Sequence, residues 1–312
     1  METMAVVLQG PEQLAVSRLD LSPPGRDDVV VDVEWSGIST GTERLLWSGR
    51  MPTFPGMGYP LVPGYESVGR IASAGPDSGR RVGEKVFVPG ARCFGTVRGL
   101  FGGAASRLVV PSAKALPISE SLEERGVLLA LAATAAHAIS GGVRSPDLVI
   151  GHGVLGRLLA RLAIASGDPP PTVWETNPDR AAGARGYRVV DPSADPRRDY
   201  RAIYDVSGDS SILDTLVGRL APGGEIVLAG FYVDPLAFAF APAFMREARI
   251  RIAAQWQEAD LLDVKQLAES GQLSLDGLIT HRQASSDAPA AYRTAFTDPA
   301  CLKMILDWRN GT

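Results

Sequence analysis

Short β-branched hydrophobic runs, each bounded by Gly, Pro, Asp or Ser, dominate the first third of the chain. Runs of this length with turn residues at their ends are typical of β-strands. Residues 1–118 are therefore predicted to form a β-rich, partly barrel-like domain. The runs are "MAVVLQG", "LAVSRLDL", "DDVVVDVEWSG", "ESVGRIASAG", "EKVFVPG" and "ASRLVVPSA".

The pattern changes after residue 118. The segment "SLEERGVLLALAATAAHAISGG" has helical spacing, with Ser121 as the predicted N-cap and Glu124 three residues later. Strand-like and helix-like segments then alternate up to "ARIRIAAQW", and two helical segments are predicted in the tail from Glu258. Such alternation predicts a parallel sheet with right-handed crossovers. The alternating segments are "DLVIGHG", "LGRLLARLAIASG", "PTVWET", "DRAAGARG", "YRVVDP", "AIYDVSGD", "SSILDTLVGRLAPGG" and "EIVLAGF".

Composition narrows the class of protein. The 312 residues suffice for two domains, and a net charge of −4 without a basic stripe gives no support for nucleic-acid binding. Two cysteines, Cys93 and Cys301, are too few for a metal framework and are predicted to be reduced thiols. The N-terminus lacks the basic region of a signal peptide, and no segment has the length of a membrane span. A cytoplasmic protein is therefore expected.

A glycine triplet between a predicted strand and a predicted helix indicates a dinucleotide site. In "DLVIGHGVLGRLL", Gly151 can make the tight turn, Gly153 lets a pyrophosphate approach the backbone, and Gly156 allows close packing of helix on strand. The free N–H groups at the start of the helix, at Val154 and Leu155, would face the pyrophosphate.

A carboxylate follows the next predicted strand at the expected distance of about twenty residues. Glu175 in "TVWET" can accept hydrogen bonds from both ribose hydroxyls of NAD and would repel a 2′-phosphate, which favours NAD over NADP. The alternative is a surface glutamate without a ligand. By position alone, the further cofactor contacts expected at this edge of the sheet are Arg180, Ser207, Gly208 and Phe231.

Together these features resemble the medium-chain dehydrogenase/reductase superfamily. Members typically read C-G-T-D and G-H-E where this chain has "TGTE" (40–43) and "GYE" (64–66), and "ATAAHAI", "APGGEIVLAG" and "GLITHR" fit later landmarks. The resemblance implies an α/β fold, with a Rossmann doubly wound parallel sheet over 119–255 that binds NAD. It also implies a β-rich GroES-like catalytic domain formed by 1–118 and 256–312, and a homodimer as a superfamily expectation.

The zinc ligands of that superfamily are missing. Zinc alcohol dehydrogenases place a cysteine and a histidine where this chain has Thr40 and Tyr65, and their third ligand falls near Ala130. The lobe that holds structural zinc is represented by Cys93 alone, and the distal relay histidine falls at Leu45. No metal is expected.

A closer resemblance covers residues 36–69, "SGISTGTERLLWSGRMPTFPGMGYPLVPGYESVG". This block is similar to the 3-hydroxyethyl bacteriochlorophyllide a dehydrogenase family of bacteriochlorophyll biosynthesis. That family oxidises the C3 1-hydroxyethyl side chain of a chlorin or bacteriochlorin ring to an acetyl group. The substrate, a chlorophyllide or bacteriochlorophyllide, is what the resemblance implies, because residue chemistry alone indicates only an NAD-dependent, zinc-free oxidoreductase.

Without zinc, protein hydroxyls must receive the alcohol proton. Thr42 occupies the place of the hydroxyl that contacts the substrate alcohol, and Thr40 stands at a former zinc-ligand position. Tyr65 can complete a relay if Glu43 or Glu66 hydrogen-bonds it. The alternatives are that Tyr65 fills space left by zinc and that Glu66 is a buried carboxylate paired with an arginine.

The predicted helix after residue 119 carries Thr134, which is expected to hydrogen-bond the ribose or nicotinamide side of the cofactor. His137 lies on the same helix face, although a lone helical histidine is more often a packed residue than a base. His281 in "GLITHR" is expected to be structural.

The loop after "TGTE" is rich in aromatic residues, methionine and proline, which suits a flat, largely apolar macrocycle. Arg50 or Arg44 can meet the substrate's propionate. The alternative is a Pro-rich loop packed on its own domain or at a dimer interface. The predicted substrate-binding residues are Trp47, Arg50, Met51, Phe54, Met57 and Tyr59.

Two other functions fit parts of the sequence. A zinc-free quinone or enone reductase of the same superfamily would use NADPH, and Glu175 argues against it. A non-catalytic pigment-binding or carrier protein is compatible with the missing metal ligands, although an intact cofactor fingerprint would then have no purpose.

Overall fold

The computed structural model describes residues 1–309 and divides the chain into two compact units. The first unit comprises Met1–Ala130 and the described residues from Asp276 onward, and the second comprises Leu131–Leu275. The boundaries predicted from the sequence assign residues 119–130 and 256–275 to the opposite units. The predicted boundaries remain a prediction about which segments fold independently.

The strands range from two to eleven residues in length. They are β1 (Glu2–Gly10), β2 (Gln13–Asp20), β3 (Asp28–Ile38), β4 (Leu61–Val62), β5 (Ser67–Ala74), β6 (Lys85–Val88), β7 (Arg98–Gly99), β8 (Arg107–Pro111), β9 (Leu116–Pro117), β10 (Leu148–Ile150), β11 (Thr172–Trp174), β12 (Arg188–Val190), β13 (Tyr200–Asp205), β14 (Leu220–Leu228), β15 (Arg249–Ile252), β16 (His281–Ala284) and β17 (Met304–Asp307).

The α-helices are α1 (Thr42–Trp47), α2 (Leu129–Ser140), α3 (Val154–Ala165), α4 (Pro178–Ala181), α5 (Leu213–Arg219), α6 (Phe240–Met245), α7 (Glu258–Glu269) and α8 (Ala288–Thr297). Short 3₁₀ helices span Ser112–Lys114, Glu120–Leu128, Pro192–Ala194 and Ser285–Asp287.

The first unit is built around strand β3. This strand pairs antiparallel with β5, β8 and β17 in a seven-stranded sheet, and a second sheet has the order β2-β1-β4-β7. Apolar residues of both sheets and of α8 share one core, among them Val31, Leu108, Tyr292 and Met304. The β-rich organisation predicted for this part of the chain is confirmed.

The second unit is a six-stranded parallel sheet with the order β12-β11-β10-β13-β14-β15. From β10 the sheet is built outward through β11 to β12, and the chain then returns to place β13 on the other side of β10. The direction of winding therefore reverses between β10 and β13. In open α/β sheets, ligands bind beyond the carboxyl ends of the strands at this switch point. Residues 148–150 of β10 are all buried, as expected for a central parallel strand. The predicted doubly wound sheet is confirmed.

The predicted helix that starts at Ser121 is wrong at its beginning. A 3₁₀ helix spans Glu120–Leu128 with Ser119 as N-cap, its side chain accepting from the Ser121 N–H, and α2 begins only at Leu129. Glu123 inside the 3₁₀ segment has a φ of 47°, which interrupts regular helix geometry.

Glycines shorten two other predicted helices. The segment "SSILDTLVGRLAPGG" ends as a helix at Arg219, and β14 begins at Leu220, with Gly223 at a φ of 70°. The segment "DRAAGARG" is helical only over Pro178–Ala181, because Gly183 and Gly186 both have positive φ. Helix α6 was not predicted, and α1 lies within the block of residues 36–69.

The C-terminal strands were not predicted, and they matter for the candidate site. Strand β17 pairs antiparallel with the end of β3, from Met304 opposite Ile38 to Asp307 opposite Trp35. This register carries Lys303, the residue before β17, to the carbonyl oxygen of Ile38 at 3.2 Å.

None of the helices in residues 1–309 has the length and apolar character needed to cross a membrane.

Gly37 in β3 leaves room for a buried carboxylate. A Cβ at this position would lie 2.1 Å from Oε2 of Glu66, so we expect Gly37→Ala to destabilise the protein by about 3 kcal/mol through overpacking and displacement of that carboxylate. Urea unfolding measures the loss. The control is Gly218→Ala in α5, where a Cβ would meet nothing within 4 Å and a neutral or slightly stabilising effect is expected. Equal stability of the two variants would contradict the prediction.

Candidate active site

A cluster of buried polar side chains lies where β3 passes into α1. Glu43, in the first turn of α1, is 1% exposed. Its Oε1 accepts the backbone N–H of Ser39 at 2.9 Å, and its Oε2 accepts the hydroxyl of Tyr292 at 2.6 Å. Glu43 is therefore held in one orientation by α8 and by the residue that follows β3.

The surroundings make Glu43 a weak acid. Burial raises the pKa of its carboxyl from the ordinary 4.5 to about 7, and the nearby Glu66 carboxylate adds to the rise. The hydrogen bonds from Tyr292 and Ser39 and the charge of Lys303 act in the opposite direction. This carboxyl can therefore exchange a proton near neutral pH.

Tyr65 lies beside this cluster, but its partner is a hydroxyl. Its phenol oxygen is 2.6 Å from Oγ of Ser39, with either atom able to donate, and the nearby Thr42 hydroxyl lowers the pKa of the phenol. Burial and the charge of Glu66 raise the pKa of the phenol above its ordinary value, so Tyr65 is neutral at neutral pH. The ring itself is half-buried.

The condition given for a relay through Tyr65, a hydrogen bond to Glu43 or Glu66, is not met within residues 1–309. The oxygens of Glu43 are taken by Ser39 and Tyr292, and those of Glu66 by Lys303. Ser39 fills the place instead, since it bonds Tyr65 through its side chain and Glu43 through its backbone N–H.

Glu66 and Lys303 form a buried ion pair. The Lys303 ammonium donates to Oε2 at 2.7 Å and to Oε1 at 3.0 Å, and neither residue is more than 1% exposed. Burial raises the pKa of the Glu66 carboxyl, and the charge and hydrogen bonds of Lys303 oppose that rise. Glu66 is thus paired with a basic residue, as the structural alternative held, but with lysine rather than arginine.

The two threonines differ in their contacts. Thr42 begins α1 and is half-buried beside Tyr65. Thr40 is also half-buried, and within the described part of the chain its side chain makes no hydrogen bond. The structure therefore brings Thr42, Tyr65, Ser39 and Glu43 together and leaves Thr40 at the margin of the cluster.

Helix α8 holds α1 at two points. Tyr292 bonds Glu43, and Phe296 packs against Trp47 with ring centroids 5.6 Å apart. On each helix the two contacting residues are four positions apart and therefore lie on one face.

Ser39, Tyr292 and Lys303 were not predicted from the sequence. For Tyr292 and Lys303 no local signal exists, because they lie far along the chain from Glu43 and Glu66.

Most of the predicted substrate-binding residues pack with one another. They contact a small apolar cluster of Leu8, Leu46, Met51, Leu61 and Leu100, and the Tyr59 hydroxyl donates to the carbonyl of Leu46. Met51 is buried, whereas Trp47, Phe54, Met57 and Tyr59 are half-buried. Packing on their own unit, the alternative given above, thus accounts for part of this set, and substrate contact by the exposed parts stays a prediction.

Arg44 and Arg50 are exposed, and neither makes an ion pair within residues 1–309. Both guanidinium groups are available to a carboxylate ligand, and the assignment of either one to the substrate stays a prediction.

In the second unit, the glycine triplet follows β10 and leads into α3. Gly151 has a φ of 98°, and a Cβ on Gly156 would lie 1.9 Å from the Gly151 carbonyl oxygen, so both positions require glycine. A Cβ on Gly153, the N-cap of α3, would meet nothing within 4 Å. The backbone at the start of α3, from Gly153 to Leu155, therefore has the open space and free N–H groups that a pyrophosphate needs.

Glu175 lies directly after β11, and two backbone groups hold its carboxylate. Oε2 accepts the N–H of His152 at 3.0 Å, and Oε1 accepts the N–H of Asn177 at 2.8 Å. The carboxylate is fixed beside the glycine loop and retains lone pairs for further donors.

A buried network behind the glycine loop was missed by sequence reasoning. Nδ1 of His152 is 2.7 Å from the Arg180 carbonyl, which can only accept, so Nδ1 carries the proton and Nε2 accepts from the Tyr187 hydroxyl at 2.9 Å. Burial lowers the pKa of His152 to about 4, and the charges of Arg157 and Arg161 add to the effect. The ring is therefore neutral at physiological pH.

Arg157 completes this network from α3. Its guanidinium donates to the carbonyls of His152, Arg180 and Ala182. It thereby joins the glycine loop to the segment that follows Glu175. The signal that could have found it is the presence of two arginines, Arg157 and Arg161, four residues apart on an otherwise apolar helix.

The remaining predicted cofactor contacts lie on loops after β13 and β14. The Ser207 N–H donates to Oδ1 of Asp205 at 2.8 Å, and Gly208 has a φ of 73°, with the Phe231 carbonyl 3.1 Å from its would-be Cβ. Phe231 is 49% exposed. These positions follow neighbouring strands at the switch point, and their contact with a cofactor stays a prediction. For Arg180, the backbone carbonyl is committed to the network described above.

His137 and His281 have structural partners. Thr134 is a half-buried residue of α2, and Nδ1 of His137 lies 2.9 Å from Oδ2 of Asp260. Asp260 also accepts the Gln257 N–H in the capping box of α7. His137 therefore joins α2 to α7, and His281 contacts Thr280 and Asp298 in the first unit.

The cysteines are buried free thiols, Cys93 and Cys301. In residues 1–309, no group of three or more His, Cys, Asp and Glu side chains is arranged to hold a metal ion.

The chain is similar to known proteins over nearly its full length. Residues 25–120 match the family described as alcohol dehydrogenase GroES-like domain. The 2-desacetyl-2-hydroxyethyl bacteriochlorophyllide A dehydrogenase of Rhodobacter capsulatus is 59% identical over 312 residues, covering 99% of each chain. The protein of the same name from Cereibacter sphaeroides is 58% identical over 315 residues, also covering 99% of each chain.

Solved structures share the fold. A short chain alcohol dehydrogenase from Escherichia coli CFT073, complexed with the cofactor NADH, matches with a TM-score of 0.84 at 23% identity, covering 98% of this chain and 99% of that one.

The raised pKa of Glu43 makes a prediction about stability. Because its pKa is about 7 in the folded protein and ordinarily 4.5, the unfolded chain loses this proton first, and stability falls as pH rises from about 4.5 to 7. We expect Glu43→Gln to remove about 3 kcal/mol of that pH dependence. Urea unfolding of both proteins at pH 5 and pH 8 measures it.

The control for this experiment is Glu12→Gln at an exposed position, which is expected to leave the pH dependence unchanged. The same pH dependence in wild type and Glu43→Gln would show that the carboxyl titrates normally.

Proposed function

Because the chain belongs to the 2-desacetyl-2-hydroxyethyl bacteriochlorophyllide A dehydrogenase family, we propose that it oxidises the 1-hydroxyethyl side chain of a chlorophyllide or bacteriochlorophyllide to an acetyl group, with NAD as hydride acceptor. The chain is an oxidoreductase of the medium-chain dehydrogenase type. The observation that carries the substrate is the 59% identity over nearly the whole chain. It agrees with the resemblance of residues 36–69 to the same family.

The residues around the glycine loop fit a nicotinamide dinucleotide. The first N–H groups of α3 suit its pyrophosphate, and Glu175 suits the adenosine ribose. When bound, NAD supplies the acceptor for a hydride. NAD is preferred over NADP because the fixed carboxylate of Glu175 would repel a 2′-phosphate. The alternative of an NADPH-dependent reductase lacks this support.

The oxidation removes a hydride from the carbinol carbon and a proton from the hydroxyl. Positive charge that develops at this carbon as the hydride leaves can delocalise into the conjugated macrocycle, and the acetyl product gains conjugation. Less alkoxide stabilisation is then needed than for a simple alcohol. The proposal therefore includes no catalytic metal, in keeping with Thr40 and Tyr65 at the positions of zinc ligands.

The proton passes to the cluster at the start of α1. Thr42 and Tyr65 can relay a proton through their hydroxyls. The raised pKa keeps the Tyr65 phenol protonated near neutral pH, so it cannot be the group that finally keeps the proton. Glu43, with a pKa of about 7, is the group in this cluster that can hold a proton or release it near neutral pH. Ser39 bonds Tyr65 through its hydroxyl and Glu43 through its backbone N–H, so the relay hydroxyls and the carboxyl lie side by side. The backbone N–H carries no proton between them, and the last transfer to Glu43 therefore uses a bridging water. Glu66 stays paired with Lys303 and supports the arrangement.

The proposal places the enzyme in the cytoplasm, where the NAD pool lies. A homodimer remains a superfamily expectation.

The direct test mixes the purified protein with a hydroxyethyl bacteriochlorophyllide and NAD. We expect NADH to form together with a red shift of the pigment band, at equal amounts. Because a lost proton relay slows turnover, Thr42→Val and Tyr65→Phe are expected to lower kcat by about 100-fold or more. Thr215→Val, at an exposed position of α5 in the second unit, serves as the control.

Other outcomes distinguish the alternatives. An unchanged pigment spectrum on binding would indicate a carrier, and reduction that depends on NADPH would indicate an enone reductase. Stoichiometric zinc linked to activity would overturn the metal-free part of the proposal.

Cofactor choice has a separate test at Glu175. We expect Glu175→Ser to raise the KM for NAD by about 10-fold or more, because charge-assisted bonds to the ribose are lost, and to make NADP a usable cofactor. Steady-state kinetics with both cofactors measure the change. Asp179→Asn, a nearby exposed carboxylate, is the control. Equal use of NADP by the wild type would refute the preference.

A further inference from the structure

Phe101 is an exposed aromatic residue in an otherwise buried stretch. Its side chain is 37% exposed, whereas Leu100 and residues 102–105 are buried. Among the described residues of the first unit, every other Phe, Tyr and Trp is buried or half-buried. The exposed part of this ring is apolar, flat surface that a ligand can cover.

The backbone that presents Phe101 is tightly held. Its carbonyl accepts the Ala91 N–H at 2.9 Å, and the N–H groups of Leu100 and Gly102 both donate to Val62, at 2.8 and 2.9 Å. Close contact fixes the segment further, since a Cβ on Gly102 would lie 1.9 Å from the Ala91 carbonyl and one on Gly90 2.1 Å from that of Phe101. The exposure of the ring is therefore a property of a well-anchored segment.

The ring adjoins the proton-handling cluster. Phe101 and Tyr65 make an edge-to-face contact, with centroids 5.6 Å apart and an interplanar angle of 87°. The hydroxyl of Tyr65 is the one that bonds Ser39. The neighbouring Leu100 belongs to the apolar cluster that includes Met51 and is contacted by Tyr59. Phe101 thus presents an exposed aromatic surface beside Tyr65, and the preceding residue along the chain packs in the apolar cluster.

We propose that Phe101 is a substrate-contact residue whose exposed ring packs against the flat, conjugated macrocycle of the substrate. The hydroxyl of the substrate's 1-hydroxyethyl side chain then approaches Tyr65. This inference rests on the proposed function and deepens it, because it assigns a substrate class to a residue at the site. A small aliphatic alcohol has no extended surface to cover this ring, whereas a planar tetrapyrrole does. Phe101 contributes binding and takes no part in proton transfer.

The experiment compares Phe101→Leu and Phe101→Tyr with the wild type. We expect Phe101→Leu to raise the KM for a hydroxyethyl bacteriochlorophyllide, and its Kd measured by pigment fluorescence without NAD, by about 3- to 10-fold. The kcat and the KM for NAD are expected to stay close to those of the wild type. Phe101→Tyr keeps an aromatic ring and is expected to retain wild-type binding.

Phe238→Leu, which removes an exposed ring of the second unit, is the control and is expected to bind pigment normally. An unchanged Kd and KM for Phe101→Leu, in a protein whose wild type turns over the pigment, overturns the inference alone. A loss of kcat at unchanged Kd also overturns it, since Phe101 would then serve only to orient Tyr65. A wild type that neither binds nor oxidises the pigment refutes the proposed function instead. Thermal melts confirm that each variant is folded.

Discussion

The buried pair of Glu66 and Lys303 is the interaction on which the first unit depends. Two opposite charges without access to solvent are stable only together, because removal of either leaves an uncompensated charge in a low-dielectric interior. The pair joins the segment before β5 to the residue before β17, and Lys303 also binds the last carbonyl of β3. Three distant stretches of chain are thereby brought to one point. The absence of a side chain at Gly37 is what makes room for the carboxylate.

The chemistry of the neighbouring groups follows from this pair. Tyr65 precedes Glu66 in the chain, so the ion pair anchors the phenol beside Ser39 and Thr42. The charge of Glu66 raises the pKa of Glu43 and that of Lys303 lowers it, while burial has the larger effect. Helix α8 completes the arrangement by holding both ends of α1, through Tyr292 on Glu43 and Phe296 on Trp47. A short six-residue helix, which would be unstable alone, is thus fixed by tertiary contacts.

The second unit follows the same principle, with a buried hydrogen-bond network in place of an ion pair. A buried, uncharged His152 and the guanidinium of Arg157 bond carbonyl groups on either side of the glycine loop. The backbone N–H of His152 in turn holds Glu175. The carboxylate proposed to select NAD is therefore oriented by a network behind it, and cofactor preference and loop geometry are linked through one residue. In both units, the groups with proposed chemical roles are positioned by buried partners that have none.

The fold class followed from the sequence, since alternating strand and helix patterns and a glycine triplet are local signals of a doubly wound sheet. The block of residues 36–69 likewise indicated the family. Local sequence also placed Thr42, Tyr65 and Glu43 within one region, but it did not identify Ser39 as the hydrogen-bond partner of Tyr65. Only the tertiary structure shows that Ser39, Tyr292 and Lys303 belong to the cluster. The pairing of β17 with β3 and the packing of α8 on α1 join residues more than two hundred positions apart. No periodicity or motif encodes such pairing, because it depends on which buried donors and acceptors remain unsatisfied once the core has formed.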